Sequence, residues 1–221
     1  MSRIIELDGV VQPIIELDGV VSNERLLWKD TFDDESSLDN YQWEGVDPEV
    51  EAGVFKMRDP LMAQQAAWVN YATAGTWKNY TVSALVRGSV DVNPYVAHGL
   101  LAYIRPGIGN TSDGYAAALD INSNWFLAVY IVNSVATGWH IVDLGTLGIT
   151  LADETWNKLT CHIADHASYA DQNTFQAWVD DVLVYDGLTP ASYYYDYGAP
   201  GMTHTLLTGS DTDNLVVVAD H

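Results

Sequence analysis

Between residues 156 and 187, apolar and polar side chains alternate in three short bursts. Leu159, Cys161 and Ile163 face one way, while Lys158, Thr160, His162 and Ala164 face the other. That is the period-2 signature of a strand buried on one side. After the loop HASYADQNT the pattern returns with Phe175, Ala177 and Val179; Asp180-Asp181 interrupts it, and residues 182–185 resume. Two aspartates between β-branched runs predict a tight turn, because Asp tolerates unusual backbone angles and bonds its own main chain. The segment reads as a three-stranded antiparallel meander.

Further strands are predicted from LLWKDTF, from residues 50–57, 66–72, 79–87, 98–105 and 115–122, from Trp125–Val132, and from 139–144 and 214–219. Trp125–Val132 is apolar on both faces, which predicts a place inside a sheet or beneath other protein. No amphipathic helical pattern of any length interrupts the series. Many short strands with turns between them predict a β-sandwich or jelly roll. The first 24 residues stand apart: IIELDGVV at 4–11 returns at 14–21. Asp-Gly between β-rich runs signals a hairpin turn, and an isolated hairpin is marginal in water. Residues 1–24 are therefore expected to form an anchoring or oligomerisation arm, working through Ile4, Ile5, Leu7, Ile14, Ile15 and Leu17. Residues 25–221 are expected to form one sandwich domain.

The order in residues 156–187 (Trp, strand, polar loop, a strand ending V-D, a turn, then V-Y-D) resembles the later half of concanavalin A-like jelly rolls. Laminin-G-like lectin domains and 3-keto-disaccharide hydrolase-type domains share it. Asp181 stands where that family usually has the glycine of V-D-G. The closing SDTDNLVVVAD is similar to the family's F-D-N-V-x-V, with Thr212 replacing the aromatic. The resemblance spans about residues 26–220. It implies an all-β, concanavalin-like sandwich of two antiparallel sheets, with the last strand beside the first and Asp213-Asn214 near Asp30 and Asp33. Such domains commonly carry calcium at a sheet end. Asp211, Asp213 and Asn214 offer three oxygen ligands close together, so they are the expected calcium ligands.

Charge narrows the partners. Thirty acidic residues against nine basic give a net charge of −21 over 221 residues, which argues against nucleic acid and anionic membrane surfaces. An acidic excess of this kind keeps halophilic proteins soluble in salt. Cys161 is the only cysteine; it permits no intrachain disulfide and is expected to be a buried, inert thiol. No stretch approaches the roughly 18 apolar residues of a membrane span. The N-terminus lacks a basic segment followed by an apolar run, so no secretory signal is expected.

Catalytic chemistry finds little footing. Glycoside hydrolysis needs two carboxyl groups flanking the bond, about 5–5.5 Å apart for retention and further for inversion. The family's glucanases resemble E-x-D-x-x-E on one strand, where ALDIN at 118–122 offers only Asp120. No catalytic residue is assigned. His162 and His166 are the only close histidine pair, and a zinc pair at that spacing wants a helix. Asn79-Tyr-Thr and Asn110-Thr-Ser match the glycosylation acceptor, and without a signal they are read as chance matches. Arg87, Tyr103, Arg105, Asp120 and Tyr130 share strand faces with small neighbours such as Ser83, Ala116 and Ala118. They are the expected ligand-binding face, a shallow sugar groove using Tyr stacking and Arg hydrogen bonds. The resulting expectation is a non-enzymatic, homo-oligomeric structural or interaction protein on a virion surface. It would be a capsid decoration, turret or fibre component of a tailed virus in a salty habitat, joined to other virion proteins by its arm and able to bind a cell-surface glycan. The alternatives are a stand-alone lectin-like domain, extracellular or cytoplasmic, and a divergent glycoside hydrolase.

Overall fold

The computed structural model describes residues 25–220 apart from 46, 58–64, 89–96, 107–111 and 206–209, together with the strand backbone of 5–7, 10–12, 16–17 and 20–21. In the arm, β1 (Ile5–Leu7) pairs with β2 (Val10–Gln12), and β3 (Glu16–Leu17) pairs with β4 (Val20–Val21). Each copy of the repeat thus forms its own strand pair, hydrogen-bonded to neither main sheet. Ile4, Ile14 and Ile15, and the side chains of Ile5, Leu7 and Leu17, lie outside the described residues.

The body continues with β5 (Arg25–Asp30), β6 (Tyr41–Glu44), β7 (Glu49–Glu51), β8 (Val54–Met57), β9 (Gln65–Val69) and β10 (Tyr80–Gly88). After these come β11 (Ala97–Pro106), β12 (Ser112–Asp120), β13 (Trp125–Val132), β14 (Val135–Asp143) and β15 (Asn157–Asp165). The last four are β16 (Asn173–Val179), β17 (Val182–Leu188), β18 (Ala199–Thr205) and β19 (Ser210–Ala219). Sheet I is ordered β17-β16-β15-β10-β19-β8-β7, with β5 also paired to β19; sheet II is ordered β14-β13-β12-β11-β18-β9-β6. The chain crosses between sheets after β5, β6, β8, β9, β10, β14, β17 and β18. The result is an antiparallel jelly-roll sandwich, with β19 beside β5 as the resemblance implies and Leu215 opposite Asp30. The meander is β15, β16 and β17. Its turn residues Asp180 and Asp181 both take positive φ (49° and 65°) between the paired Val179 and Val182, the conformation of a two-residue hairpin turn.

Alternation builds the core. In β10, Tyr80, Val82, Ala84 and Val86 are buried while Thr81, Ser83, Leu85 and Arg87 are half-buried on the other face. Cys161 lies on the inner face of β15, where burial pushes its thiol well above the usual range, so it stays protonated and inert. At one point the alternation breaks. β11 has a register shift between Ala102 and Arg105, and Tyr103 there adopts φ 54°. This bulge turns Tyr103 inward, against Tyr80 with ring centroids 5.4 Å apart. The Tyr80 hydroxyl accepts from the Tyr103 amide at 2.7 Å and donates to the Gly198 carbonyl at 3.2 Å. The Tyr103 hydroxyl accepts from the Asn79 amide at 2.9 Å.

Three segments depart from the sequence pattern. Residues 50–57 are a hairpin and not one strand, because Ala52 and Gly53 both take positive φ and separate β7 from β8. The strand expected at 66–72 ends at Val69, and a single turn of helix, α1 (Tyr71–Ala74), follows. β18 is an unforeseen inner strand of sheet II. Its Pro200 and Gly201 are ordinarily turn signals, but Gly201 is required by close packing: a Cβ there would lie 2.1 Å from the Ala67 carbonyl oxygen.

His98 and His204 face each other across β11 and β18 between the sheets, and both are buried. Neither ring nitrogen of His98 has a hydrogen-bond partner among the described residues. Burial, reinforced by His204 opposite, pushes the His98 imidazole down to about 4. The unfolded chain therefore takes up this proton near pH 6.5 and the folded chain only near pH 4. The stabilisation from neutral His98 is complete above pH 6.5 and is lost as pH falls to 4, a change of about 3 kcal/mol. Urea unfolding midpoints across this window should fall steeply with acid in the native chain and less steeply in His98→Leu. Equal slopes would refute the assignment.

Candidate functional site

The polar half of the meander is where the described surface opens. On the outer face of sheet I, one row of cross-strand neighbours comprises Val216, Ser83, Thr160, Trp178 and Leu183; the next comprises Val218, Thr81, His162, Gln176 and Asp186. These rows cross β19, β10, β15, β16 and β17. Between Lys158 and Asp220 their members on β19, β10, β15 and β16 form the floor of an open groove of about 550 Å³, with Trp178 among its lining residues. Short Ser and Thr side chains make the hollow, and the longer ones bound it.

Hydrogen bonds fix the groove's ends. At one end, His162 Nε2 lies 2.7 Å from Asp220 Oδ2 and Nδ1 lies 3.2 Å from Gln176 Oε1. Gln176 in turn donates through Nε2 to Asp186 Oδ1 at 3.1 Å. Both imidazole nitrogens are thus engaged by neighbouring side chains. At the other end, Lys158 Nζ donates to Asp181 Oδ1 at 2.8 Å. The neighbouring turn residue Asp180 accepts from the Lys158 amide at 2.8 Å and from Asn157 Nδ2 at 3.0 Å. The site is therefore built on the Asp-Asp turn, and each of these four acids is engaged by a base or an amide.

The five residues expected to converge on one sugar-binding face do not do so. Arg87 lies on sheet I, its Nε 3.1 Å from Asp211 Oδ2 and its guanidinium 4.6 Å above the Trp156 ring. Glu154 lies 3.5 Å from the same Nε. Tyr103 is 0% exposed, turned between the sheets by its bulge. Asp120 is 4% exposed on the outer side of sheet II and accepts from the Ser123 amide at 3.2 Å. Arg105 packs its guanidinium over Tyr195 and Tyr197, and Tyr130 stacks on Tyr193 at 4.3 Å. The period-2 argument failed because bulges reverse faces and because matching faces on different sheets point opposite ways. Trp178, Gln176, Asp186 and Asp220 were missed. Their signal was present in the polar complement of the same alternation that identified β15 and β16.

The expected calcium ligands fare similarly. Asp211 is buried and paired with Arg87, while Asn214 is exposed at a bulge with φ 52°. Among the described residues no group of three or more His, Cys, Asp or Glu is arranged to hold a metal ion. With a guanidinium already on Asp211, the set does not fit a cation cage.

No protein-family model matches the sequence, and neither does any curated protein. Solved structures do share the fold. A carbohydrate-binding module (CBM66) from Bacillus subtilis superposes with a TM-score of 0.61 at 13% identity, over 81% of this chain and 96% of that one. The Bacillus licheniformis β-glucanase gives 0.56 at 10% identity, over 91% and 100%. The exoplasmic/lumenal domain of VIP36, in a Ca2+/Man3GlcNAc-bound form, gives 0.50 at 11% identity, over 82% and 84%. At these identities the likeness establishes a concanavalin-like jelly roll and nothing finer.

Removing Arg87 separates a structural role from a ligand-binding one. Arg87→Met takes the guanidinium away from a nearly buried carboxylate at Asp211 and should lower stability by about 3 kcal/mol, and adding Asp211→Leu should restore most of the loss. An unchanged denaturation midpoint in Arg87→Met would return Arg87 to the list of ligand contacts.

Proposed function

We propose that this protein is a non-enzymatic, lectin-like carbohydrate-binding module whose ligand lies in the groove on sheet I. The observation that carries this reading is the placement of Trp178 beside Thr160, His162 and Gln176 on a hollowed, open sheet face. An indole plane stacks on the apolar face of a pyranose, while hydroxyl, imidazole and amide groups bond its ring of hydroxyls. The carboxylates lining the groove are each engaged by a neighbouring side chain, which favours a neutral saccharide over a strongly anionic one.

A binding role also suits the acids. Asp181 and Asp220 are held by Lys158 and His162, four residues apart on one strand, a spacing of about 13 Å along the backbone. Among the described residues no helix is long and apolar enough to cross a membrane. The strand pairs of residues 5–7 with 10–12 and 16–17 with 20–21 are suited to attachment, since among the described residues neither main sheet pairs with them. Virion display, expected from that repeat, draws no support from the fold and gives way to the lectin reading.

Glycan-array screening followed by titration calorimetry tests the proposal. The native chain should bind a neutral oligosaccharide at micromolar to millimolar strength. Trp178→Ala should weaken binding at least about tenfold, since loss of one aromatic platform removes more than 1 kcal/mol. Thermal unfolding of the variant serves as the folding control. Binding unaffected in a folded Trp178→Ala chain would displace the site from this groove.

A further inference from the structure

One flank of the sandwich differs in character from the rest of the molecule. Sheet II ends there in β14 and sheet I in β17, and the two edges are tied together by the Trp139 indole donating to the Tyr185 hydroxyl at 3.2 Å. The outward side of β14 pairs with no other described strand, and seven of its nine residues are exposed, all but Trp139 and Val142. Val135 is 64% exposed and Ile141 54%, with Trp125 and Leu147 also exposed nearby.

Edge strands of this length are ordinarily guarded by lysine, proline or an inward-pointing charge. β14 has none of these. Its one irregularity, the register shift opposite Ala128 and Val129, tucks Trp139 into the core against Phe175 at 5.2 Å and leaves the edge bare. Charge makes the contrast sharper. Residues 125–150 carry a single charged side chain, Asp143, in a chain of thirty acids and nine bases. Two copies of so acidic a protein repel each other over most of their surfaces, and β14 with the residues around it adds a single acid to that repulsion.

We infer that β14 is the interface for a second copy of this chain, the two strands pairing antiparallel about a two-fold axis so that sheet II continues from one copy into the next. A two-fold contact requires a self-complementary patch. An uncharged edge with apolar side chains at both ends meets that requirement, since antiparallel pairing brings Val135 of one copy towards the Ile141 end of the other. The groove is on the outer face of sheet I, so both copies would present it to solvent.

Sedimentation of the full chain tests the inference, with Val135→Lys/Ile141→Lys as the variant. Lysines at the two ends restore the missing guard without touching the core or the groove. The native chain should sediment as a dimer, and the variant should dissociate with at least a tenfold weaker dimer constant while matching the native unfolding midpoint at dilutions where both chains are monomeric. Raising salt should tighten the native dimer by screening the mutual repulsion of the two acidic copies. A native chain that stays monomeric as its concentration is raised would overturn the interface, as would a dimer indifferent to the two lysines. Salt that loosens the dimer would equally count against it, because that behaviour belongs to an ion-paired contact. Glycan titration of the variant keeps the two proposals apart: binding retained in a monomeric variant leaves the groove intact and confirms that the edge acts separately.

Discussion

The sandwich depends on satisfying tyrosine hydroxyls that lie between its sheets. A buried hydroxyl without a partner costs about 1–3 kcal/mol, and this core contains several. Tyr80 solves the problem by binding the Tyr103 amide and the Gly198 carbonyl, which are brought to it by a bulge and by a loop from the far side of the sequence. Tyr115 does so at the opposite end, donating to the Tyr193 carbonyl and accepting from the Tyr195 amide, while Asn173 of sheet I donates to the Tyr195 carbonyl at 2.7 Å. These bonds have direction, which apolar contacts do not, so they fix how the sheets sit on one another. The Tyr-rich loop at 193–197 is consequently part of the core. Burial raises the pKa of Tyr80, Tyr103 and Tyr115 alike, which keeps them protonated as donors at any ordinary pH.

Much of the architecture was legible because sheets I and II are built from strict alternation. β10, β15, β16 and the Asp180-Asp181 turn follow period-2 reasoning residue by residue, and the closing strand falls beside the first one. What stayed hidden was structure whose cause is not periodic. β18 carries glycine for clearance from a neighbouring backbone, and that reads as a turn until the neighbour is known. The bulge at Tyr103 inverts a side chain that alternation assigns to the surface, and no local residue preference announces it.

The site was less legible than the fold for a related reason. Candidate ligand contacts were chosen by residue type on strands whose sheet membership was unknown. Arg87 and Arg105 each look like a sugar-binding guanidinium, yet one balances Asp211 and the other caps a pair of tyrosines. Trp178 looks like core by type and sits in a strand of core residues. Its parity places it outside with Gln176, and parity was the more reliable guide. Near the closing strand, acids that suggested a cation site turned out to be divided between an internal ion pair and a bulge.

The Asp180-Asp181 turn has a further implication. Both residues hold left-handed backbone angles, which glycine or asparagine would adopt with less strain, so a chain selected for stability alone would be expected to exchange them. Their carboxylates anchor Lys158 and Asn157 at the mouth of the groove, and the exchange would release both. The sequence therefore keeps a slightly strained corner at the place where the β16–β17 hairpin borders its proposed ligand, and sequence drift towards an easier turn would gain stability at the expense of recognition.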